Sequence, residues 1–459
     1  MNILIIGAGR VGTSVAESLV SERNDITVID SDPQRLRQLQ ERLDLRGVTG
    51  NAVQPSVLRE AGAEDCDLLI ACAPMDETNL CVCKIAHDLF NVTTTIARLR
   101  SPEFVPGSPL LARGTGFGVD EVICPEQSVT TYVRKLIEYP EALRIVEFAD
   151  GRVTMAGVRT FAGGPLVGHR LDEIPTLLPG MDMRIVGLFR HDQPLKTDGD
   201  TRIEAGDEAV VLARTAAVPD VLAALRARDR PVRRVMIAGG GKVGLRLARA
   251  LKGRYEIKLI ELDRARCEYL AADLGSDVLV LQGDSTDEDL MADENVGDMD
   301  VFIALTSDDE DNILAGLMAK RLGVRRAIVL INRRAYTELV QGTQIDVAIS
   351  PQHAVIGELL AHVRRGDIEA VHSMQQGAAE SMEIIVRGDR RSSKVVGRRI
   401  EQLSLPEGVQ IGALVRGDAV LIAHHDTVVE TDDHAIVFLP NKRQVRAVEK
   451  LFQVGATFF

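Results

Sequence analysis

Two stretches decide the fold: residues 1–12, MNILIIGAGRVG, and residues 233–244, RRVMIAGGGKVG. In each, a short apolar run meets glycines spaced GxGxxG and then continues into an amphipathic segment. A strand, a glycine turn and a helix in that order open a dinucleotide-binding βαβ unit. Gly7 and Gly239 supply the tight turn, and Gly9 and Gly241 let a pyrophosphate approach the backbone. Gly12 and Gly244 let the helix lie close on the sheet, and phosphates would rest on free N–H groups at the positive end of its dipole. Ala8, Arg10 and Val11 complete the first loop; Gly240, Lys242 and Val243 complete the second, with Arg10 and Lys242 offering a cation to phosphate. Asp30 closes ITVID and Glu261 closes IKLIE. A carboxylate there accepts bonds from both hydroxyls of an adenosine ribose and repels a 2′-phosphate, which favours NAD(H) or another adenine nucleotide over NADP(H).

Working outward, the chain matches itself along its length. GNA at Gly50 matches GDS at Gly283, DETNL from Asp76 matches DEDNI from Asp309, and VDEVICPEQSV from Val119 matches IDVAISPQHAV from Ile345. Further on, VGHRLDEI from Val167 matches VGRRIEQL from Val396, and DTRIEAGDEAVVLA from Asp200 matches DTVVETDDHAIVFL from Asp426. The order is N1–C1–N2–C2, with expected domains at 1–139, 140–226, 232–370 and 371–459 and the Arg-rich stretch RARDRPVRR, 226–234, as linker. The N segments alternate strands (NILII, ITVID, DLLIACA, TTTIA, DEVI) with helical patterns, which specifies an α/β, Rossmann-like, doubly wound parallel sheet in each half. The C segments are shorter and strand-rich, with turns at Asp150-Gly151, Gly163-Gly164 and Gly417-Asp418 and a closing helical run, and read as small α+β domains.

Composition agrees. At 459 residues the chain exceeds one core, and with 3% aromatic residues and no Trp its cores must be built from Val, Ile, Leu and Ala. A net charge of −13 argues against a nucleic-acid partner. No apolar run is long enough to span a membrane, and the N-terminus enters a strand without the features of a signal peptide, so a cytosolic location is expected. The six cysteines, Cys81 and Cys83 included, read as small buried side chains in a reducing compartment.

Further site candidates lie at the strand ends, which line the crevice of a doubly wound sheet. Ala73-Pro74 and Thr306 end the fourth strands, and Arg98 and Arg100 follow the fifth, with Arg333 matched to Arg100 in the second half. Asn51 stands where the second half has Asp284. No catalytic constellation is visible: the nine histidines lack partner signatures, and neither a GxSxG elbow nor a metal spacing occurs. Two nucleotide clefts without visible chemistry suit a protein that reads a nucleotide as a signal. The alternatives are an NAD-dependent oxidoreductase with an unidentified substrate, and a scaffold whose second cleft is vestigial.

The N–C–N–C order, with GAGRVG, GGGKVG, ITVID, APMDETN, TIARLR and DEVICPEQ, resembles the RCK (KTN) regulators of potassium conductance over essentially the whole chain. The resemblance implies a cytoplasmic protein, peripheral on the inner face of the cell membrane, that forms a homo-oligomeric ring of RCK domains under a potassium-translocating subunit of the TrkH or TrkG type. It implies NAD(H), and ATP or ADP, as ligands that gate ion flow. It places the sites at Gly7 to Val11, Asp30, Ala73, Pro74 and Arg98, and at Gly239 to Val243, Glu261 and Thr306. It also implies that SVTTYVRKLIEY, 128–139, and HAVIGELLAHVRR, 353–365, are helices that cross to a neighbouring subunit, and their apolar spacing fits a buried helix.

Overall fold

Runs of Val, Ile and Leu with no polar face need cover on both sides, and parallel strands flanked by helices provide it. In the computed structural model, which describes residues 1–20, 24–104, 106–191, 193–226, 230–340, 343–364, 367–374 and 378–455, those runs are the central strands. The first half contains β1 (Asn2–Ile6), β2 (Asp25–Asp30), β3 (Arg46–Thr49), β4 (Leu68–Ala71), β5 (Thr94–Arg98) and β6 (Glu121–Ile123), all parallel, in the order β3-β2-β1-β4-β5-β6. This is the classic doubly wound order, whose reversal point lies between β1 and β4. β3, the segment RGVT, was not foreseen: its Arg46 and Gly47 hide the strand, which is fixed by pairing to β2 from Thr27 to Asp30.

A small antiparallel sheet follows: β7 (Ala142–Phe148), β8 (Val153–Arg159), β9 (Met183–Arg190), β10 (Gln193–Leu195) and β11 (Glu208–Arg214), in the order β10-β9-β11-β8-β7. The second half repeats both patterns. Strands β12 (Arg234–Ala238), β13 (Glu256–Glu261), β14 (Val278–Gln282), β15 (Val301–Ala304), β16 (Arg326–Leu330) and β17 (Val347–Ile349) order as β14-β13-β12-β15-β16-β17. Then β18 (Ile368–Met374), β19 (Ala379–Ile385), β20 (Gln410–Arg416), β21 (Ala419–Ile422) and β22 (His434–Leu439) order as β18-β19-β22-β20-β21. The two small sheets share one core, in which Phe148, Met155, Val186 and Leu212 of the first meet Met374, Ala413, Ile436 and Phe438 of the second.

The chain divides into two compact units, Met1–Ser128 with Pro351–Leu359, and Val129–Ser350 with Leu360–Phe459. The division cuts through the helix Pro125–Glu138. Its residues Val129, Val133, Leu136 and Ile137 are buried with Val235, Ile237, Leu247, Ile303 and Ile328 of the second parallel sheet and its helices. This corrects the expected crossing: the sheet that covers this helix belongs to the other half of the same chain. The buried Arg326 at the start of β16 fastens the helix end, donating to Leu136 O at 2.7 Å and Pro140 O at 2.9 Å. A guanidinium there satisfies carbonyls that a helix C-terminus leaves unpaired. Reciprocally, Pro351–Leu359 of the helix Pro351–Val363 belongs to the first unit, where Glu358 accepts from Ser128 Oγ at 2.6 Å. Linker residues 227–229, residue 365 of the second crossing segment and the tail 456–459 lie outside the described residues.

Candidate functional site

Each glycine loop is held in shape by its own backbone. Gly7 has φ +98°, and its N–H donates to Ile29 O at 2.7 Å. Gly239 matches it, with φ +99° and a bond to Ile260 O at 2.8 Å. A Cβ on Gly12 would lie 1.9 Å from Gly7 O, and one on Gly244 would lie 1.9 Å from Gly239 O, so helix and turn touch with no room for a methyl. Gly9 and Gly241 differ: a Cβ there would meet nothing within 4 Å. Space is therefore open in front of both loops, at the first residues of helices Arg10–Val20 and Lys242–Leu251, where N–H groups lack intrahelical partners. Arg10 and Lys242 are both exposed beside that space.

The acids at the ends of β2 and β13 do more than the sequence suggests. Asp30 Oδ2 accepts from Ala8 N at 2.6 Å, and Oδ1 accepts from Asp32 N at 2.8 Å. Glu261 accepts from Gly240 N at 2.7 Å and Asp263 N at 3.0 Å. Each carboxylate thus pins the glycine loop to the neighbouring strand and keeps further lone pairs to accept from other donors.

Sequence reasoning gave no role to the buried Asn79 and Asn312, although the repeated DETNL and DEDNI carried the signal. Asn79 accepts from Ala73 N at 2.8 Å and donates to Ala73 O at 3.0 Å and Arg98 O at 2.8 Å. Asn312 does the same with Thr306 N at 2.9 Å, Thr306 O at 3.1 Å and Leu330 O at 2.9 Å. Each asparagine ties the end of the fourth strand to the end of the fifth, placing Ala73 and Thr306 on the cleft floor while the neighbouring Pro74 is exposed. The acid at the head of the same helix holds the next loop: Asp76 accepts from Arg100 N and Ser101 N, and Asp309 from Asn332 N and Arg333 N.

Those bonds correct the match of Arg333 to Arg100. The residue in the place of Arg100 is Asn332, and that in the place of Arg98 is Leu330; Ala97 and Val329 take equivalent positions in the strand pairing. Arg333 turns to the surface, 60% exposed, with Glu310 at 2.8 Å and Tyr336 Oη at 2.9 Å. Arg98 and Arg100 converge on Glu126 of the helix Pro125–Glu138, with ion-pair distances of 3.7 and 3.4 Å.

Outside the loops the two clefts diverge. Asn51 accepts from Val53 N at 3.2 Å, and Asp284 from Thr286 N at 2.8 Å and Thr286 Oγ1 at 2.7 Å, so the same turn ends in an amide in one half and an acid in the other. The bonds from Thr286 hold the Asp284 carboxyl below its usual pKa. Around the second cleft Asp311 lies in the field of Asp308, Asp284 and Glu310, and its pKa is raised by burial first and by those charges after it. The first half has Asn51, Met75 and Thr78 where the second has Asp284, Asp308 and Asp311.

The six cysteines are free thiols. Cys66, Cys72, Cys83 and Cys267 are buried, and burial pushes Cys72 up to about 12. Cys81 is exposed, contrary to expectation, because two residues along a helix face different sides, and Cys83 takes the inward one.

The sequence profile of the TrkA-N domain matches residues 3–125 and 235–351, and that of the TrkA-C domain matches residues 156–226 and 390–453. The Trk system potassium uptake proteins TrkA of Halomonas elongata and Vibrio alginolyticus are 49% and 47% identical to this chain, with all of both chains covered in each case. The chain belongs to the TrkA family. Among solved structures, the GsuK RCK domain superposes with a TM-score of 0.62 at 17% identity, covering 98% of this chain and 94% of that one. The GsuK channel bound to NAD gives 0.61 at 17% identity, over 98% of this chain and 78% of that one. These likenesses agree on the fold: two TrkA-N and TrkA-C pairs in tandem form a double RCK architecture. No helix among the described residues is long and apolar enough to cross a membrane.

Proposed function

We propose that this chain is the nucleotide-binding regulatory subunit of a Trk-type potassium uptake system. It carries NAD(H), and ATP or ADP, as signals in its two parallel-sheet clefts and acts without turnover of the nucleotide. The observation that carries the reading is the pair of glycine loops with open space at Gly9 and Gly241 in a chain similar over its full length to Trk potassium uptake proteins. In the first cleft Gly7, Ala8, Gly9, Arg10, Val11 and Gly12 would receive the phosphates, Asp30 the ribose, and Asn51, Ala73 and Pro74 the rest of the adenosine. In the second, Gly239 to Gly244, Glu261, Asp284 and Thr306 would do the same.

As a peripheral subunit on the inner face of the membrane, it would assemble as a ring against a potassium-translocating subunit of the TrkH or TrkG type. Gating requires that a nucleotide bind the conducting and resting assemblies with different affinity; a tenfold difference supplies about 1.4 kcal/mol per site.

The test uses the open space itself. Gly9→Leu and Gly241→Leu put a side chain into it from a position where a Cβ meets no atom within 4 Å. Calorimetric titration with NADH should count two sites in the parent chain, one in each single variant and none in the double variant. Potassium flux through the co-purified membrane subunit should then lose its response to nucleotide in the double variant. Unchanged counts, or steady NADH oxidation with a small carbonyl compound, would refute the proposal.

A further inference from the structure

The two small sheets meet through unlike residues at like positions. Each carries a bulge where they touch: the pairing of β11 with β9 skips Val186, and that of β22 with β20 skips Gly412. By the offset that matches Asp200 to Asp426, Gly412 is the counterpart of Val186 and Gln410 that of Arg184. A Cβ on Gly412 would lie 2.8 Å from Val186 Cγ1, so the bulge residue of one sheet presses on its own counterpart in the other. Arg184 does likewise, its Nε donating to Gln410 Oε1 at 3.1 Å. The bonds beside this pair are also exchanged. Arg184 donates to Ala423 O, and Gln410 Nε2 donates to Oγ1 of Thr197, the counterpart of Ala423. A local two-fold axis therefore passes between β9 and β20, and residues on it meet their own counterparts.

On such an axis, a sheet paired with a copy of itself would set each residue against the same residue. Two copies of the first sheet would bring Arg184 against Arg184. Burial already lowers the pKa of that one guanidinium, and a second would add like-charge repulsion in the same place. Val186 would press on Val186, where Gly412 now leaves room. Two copies of the second sheet would fit no better. Phe438 packs over Gly187, where a Cβ would lie 2.8 Å from its ring, and the counterpart of Gly187 is Ala413, whose methyl group would stand in the way. A further contact is equally one-sided: Ala149 N donates to Oε2 of the buried Glu383 at 2.8 Å, and the first sheet has Gly157 in the place of Glu383. A second copy of the first sheet would bury that N–H unpaired.

We infer that this face is a heterotypic lock: the first small sheet accepts the second and rejects a further copy of itself, with Arg184–Gln410 and Val186–Gly412 as the pairs that set the preference. In an assembly of several chains this face joins unlike halves, and like halves of two chains must meet elsewhere. The inference is independent of what the nucleotide clefts bind.

Cross-linking reads the pairing directly, in the full-length chain carrying Cys81→Ser to remove the exposed thiol. With diamide as oxidant, Val186→Cys combined with Gly412→Cys should close a disulfide within the chain, so that two thiols are lost while the chain stays single on a non-reducing denaturing gel. Val186→Cys alone and Gly412→Cys alone should give no linked pair of chains. A linked pair of chains from either single variant, or a double variant that stays open, overturns the inference. Hydrogen exchange tests the charge pair. Gln410→Arg should speed exchange across β9 and β20 by about tenfold or more, and Arg184→Gln combined with Gln410→Arg should bring it back to within about twofold of the parent. Parent-like exchange in Gln410→Arg, or a swapped chain as loose as the single variant, would show that the pair sets no preference and would overturn the lock.

Discussion

The two parallel-sheet clefts keep one skeleton and carry different linings. Residues that bond to the backbone occur in both: the glycines whose Cβ positions are filled by the turn, the acids on Ala8 N and Gly240 N, the asparagines that join the fourth and fifth strands, and the acids Asp76 and Asp309. Other side chains around the strand ends do not. The first half sets Arg98 and Arg100 where the second has Leu330 and Asn332, and the second sets Asp284, Asp308 and Asp311 where the first has Asn51, Met75 and Thr78. After a duplication, main-chain hydrogen bonds constrain both copies alike, because a lost partner leaves a buried group unsatisfied at about 1–3 kcal/mol. Side chains that hold no buried main-chain group carry no such penalty and are free to diverge in charge.

The strongest test of that shared skeleton is Gly12→Ala against Gly244→Ala. Each would drive a methyl to within 1.9 Å of a carbonyl oxygen that the helix cannot avoid. Both should cost more than about 3 kcal/mol, each in its own unit. Hydrogen exchange should show protection lost across β1–β6 in Gly12→Ala and across β12–β17 in Gly244→Ala. A mild effect in only one of them would mean that the two loops are not built alike.

A second contrast separates the small sheets and appears only in acid. His372 on β18 occupies the place that Val146 holds on β7. It lies half-buried, edge-on against Phe148, with ring centroids 5.1 Å apart. Burial first, and the nearby Lys135 second, push its pKa down to about 4 from 6.5, against a bond to the Glu147 backbone that favours the charged form. The folded protein keeps this histidine neutral while the unfolded chain takes up a proton near pH 6.5. Stability is therefore complete above that value and falls as pH drops from about 6.5 to 4, by about 3 kcal/mol in all. His372→Val, which restores the residue of the first half, should flatten that part of the urea-denaturation profile against pH. An unchanged slope would assign the acid sensitivity to other groups.

Legibility in the sequence followed the same division. The repeat, the glycine spacing and the β-branched runs announced both parallel sheets, because each is a local pattern with one structural solution. β3 was missed because RGVT is short and begins with Arg46 and Gly47; its strand character comes from pairing with β2. The apolar face of Pro125–Glu138 was visible, but a stripe of valines and leucines reads the same whichever sheet covers it. The loop-pinning role of Asp30 and the strand-tying role of Asn79 depend on main-chain groups 22 and 6 residues away, which no side-chain motif names.

The smallest expected effect concerns Arg333. Matching arginine to arginine between LRS and NRR puts it opposite Arg100, whereas the bonds to Asp76 and Asp309 fix the register one residue earlier. If register decides role, Arg333 belongs to a surface cluster with Glu310 and Tyr336, an exposed ion pair that adds little to stability. Arg333→Ala should then leave nucleotide affinity in the second cleft within twofold and lower the melting temperature by no more than a degree or so, while Arg100→Ala weakens ATP in the first. A loss of second-cleft affinity comparable to that of Arg100→Ala would restore the sequence match. It would mean that the loop after β16 rearranges on binding, bringing Arg333 from the surface to the phosphates.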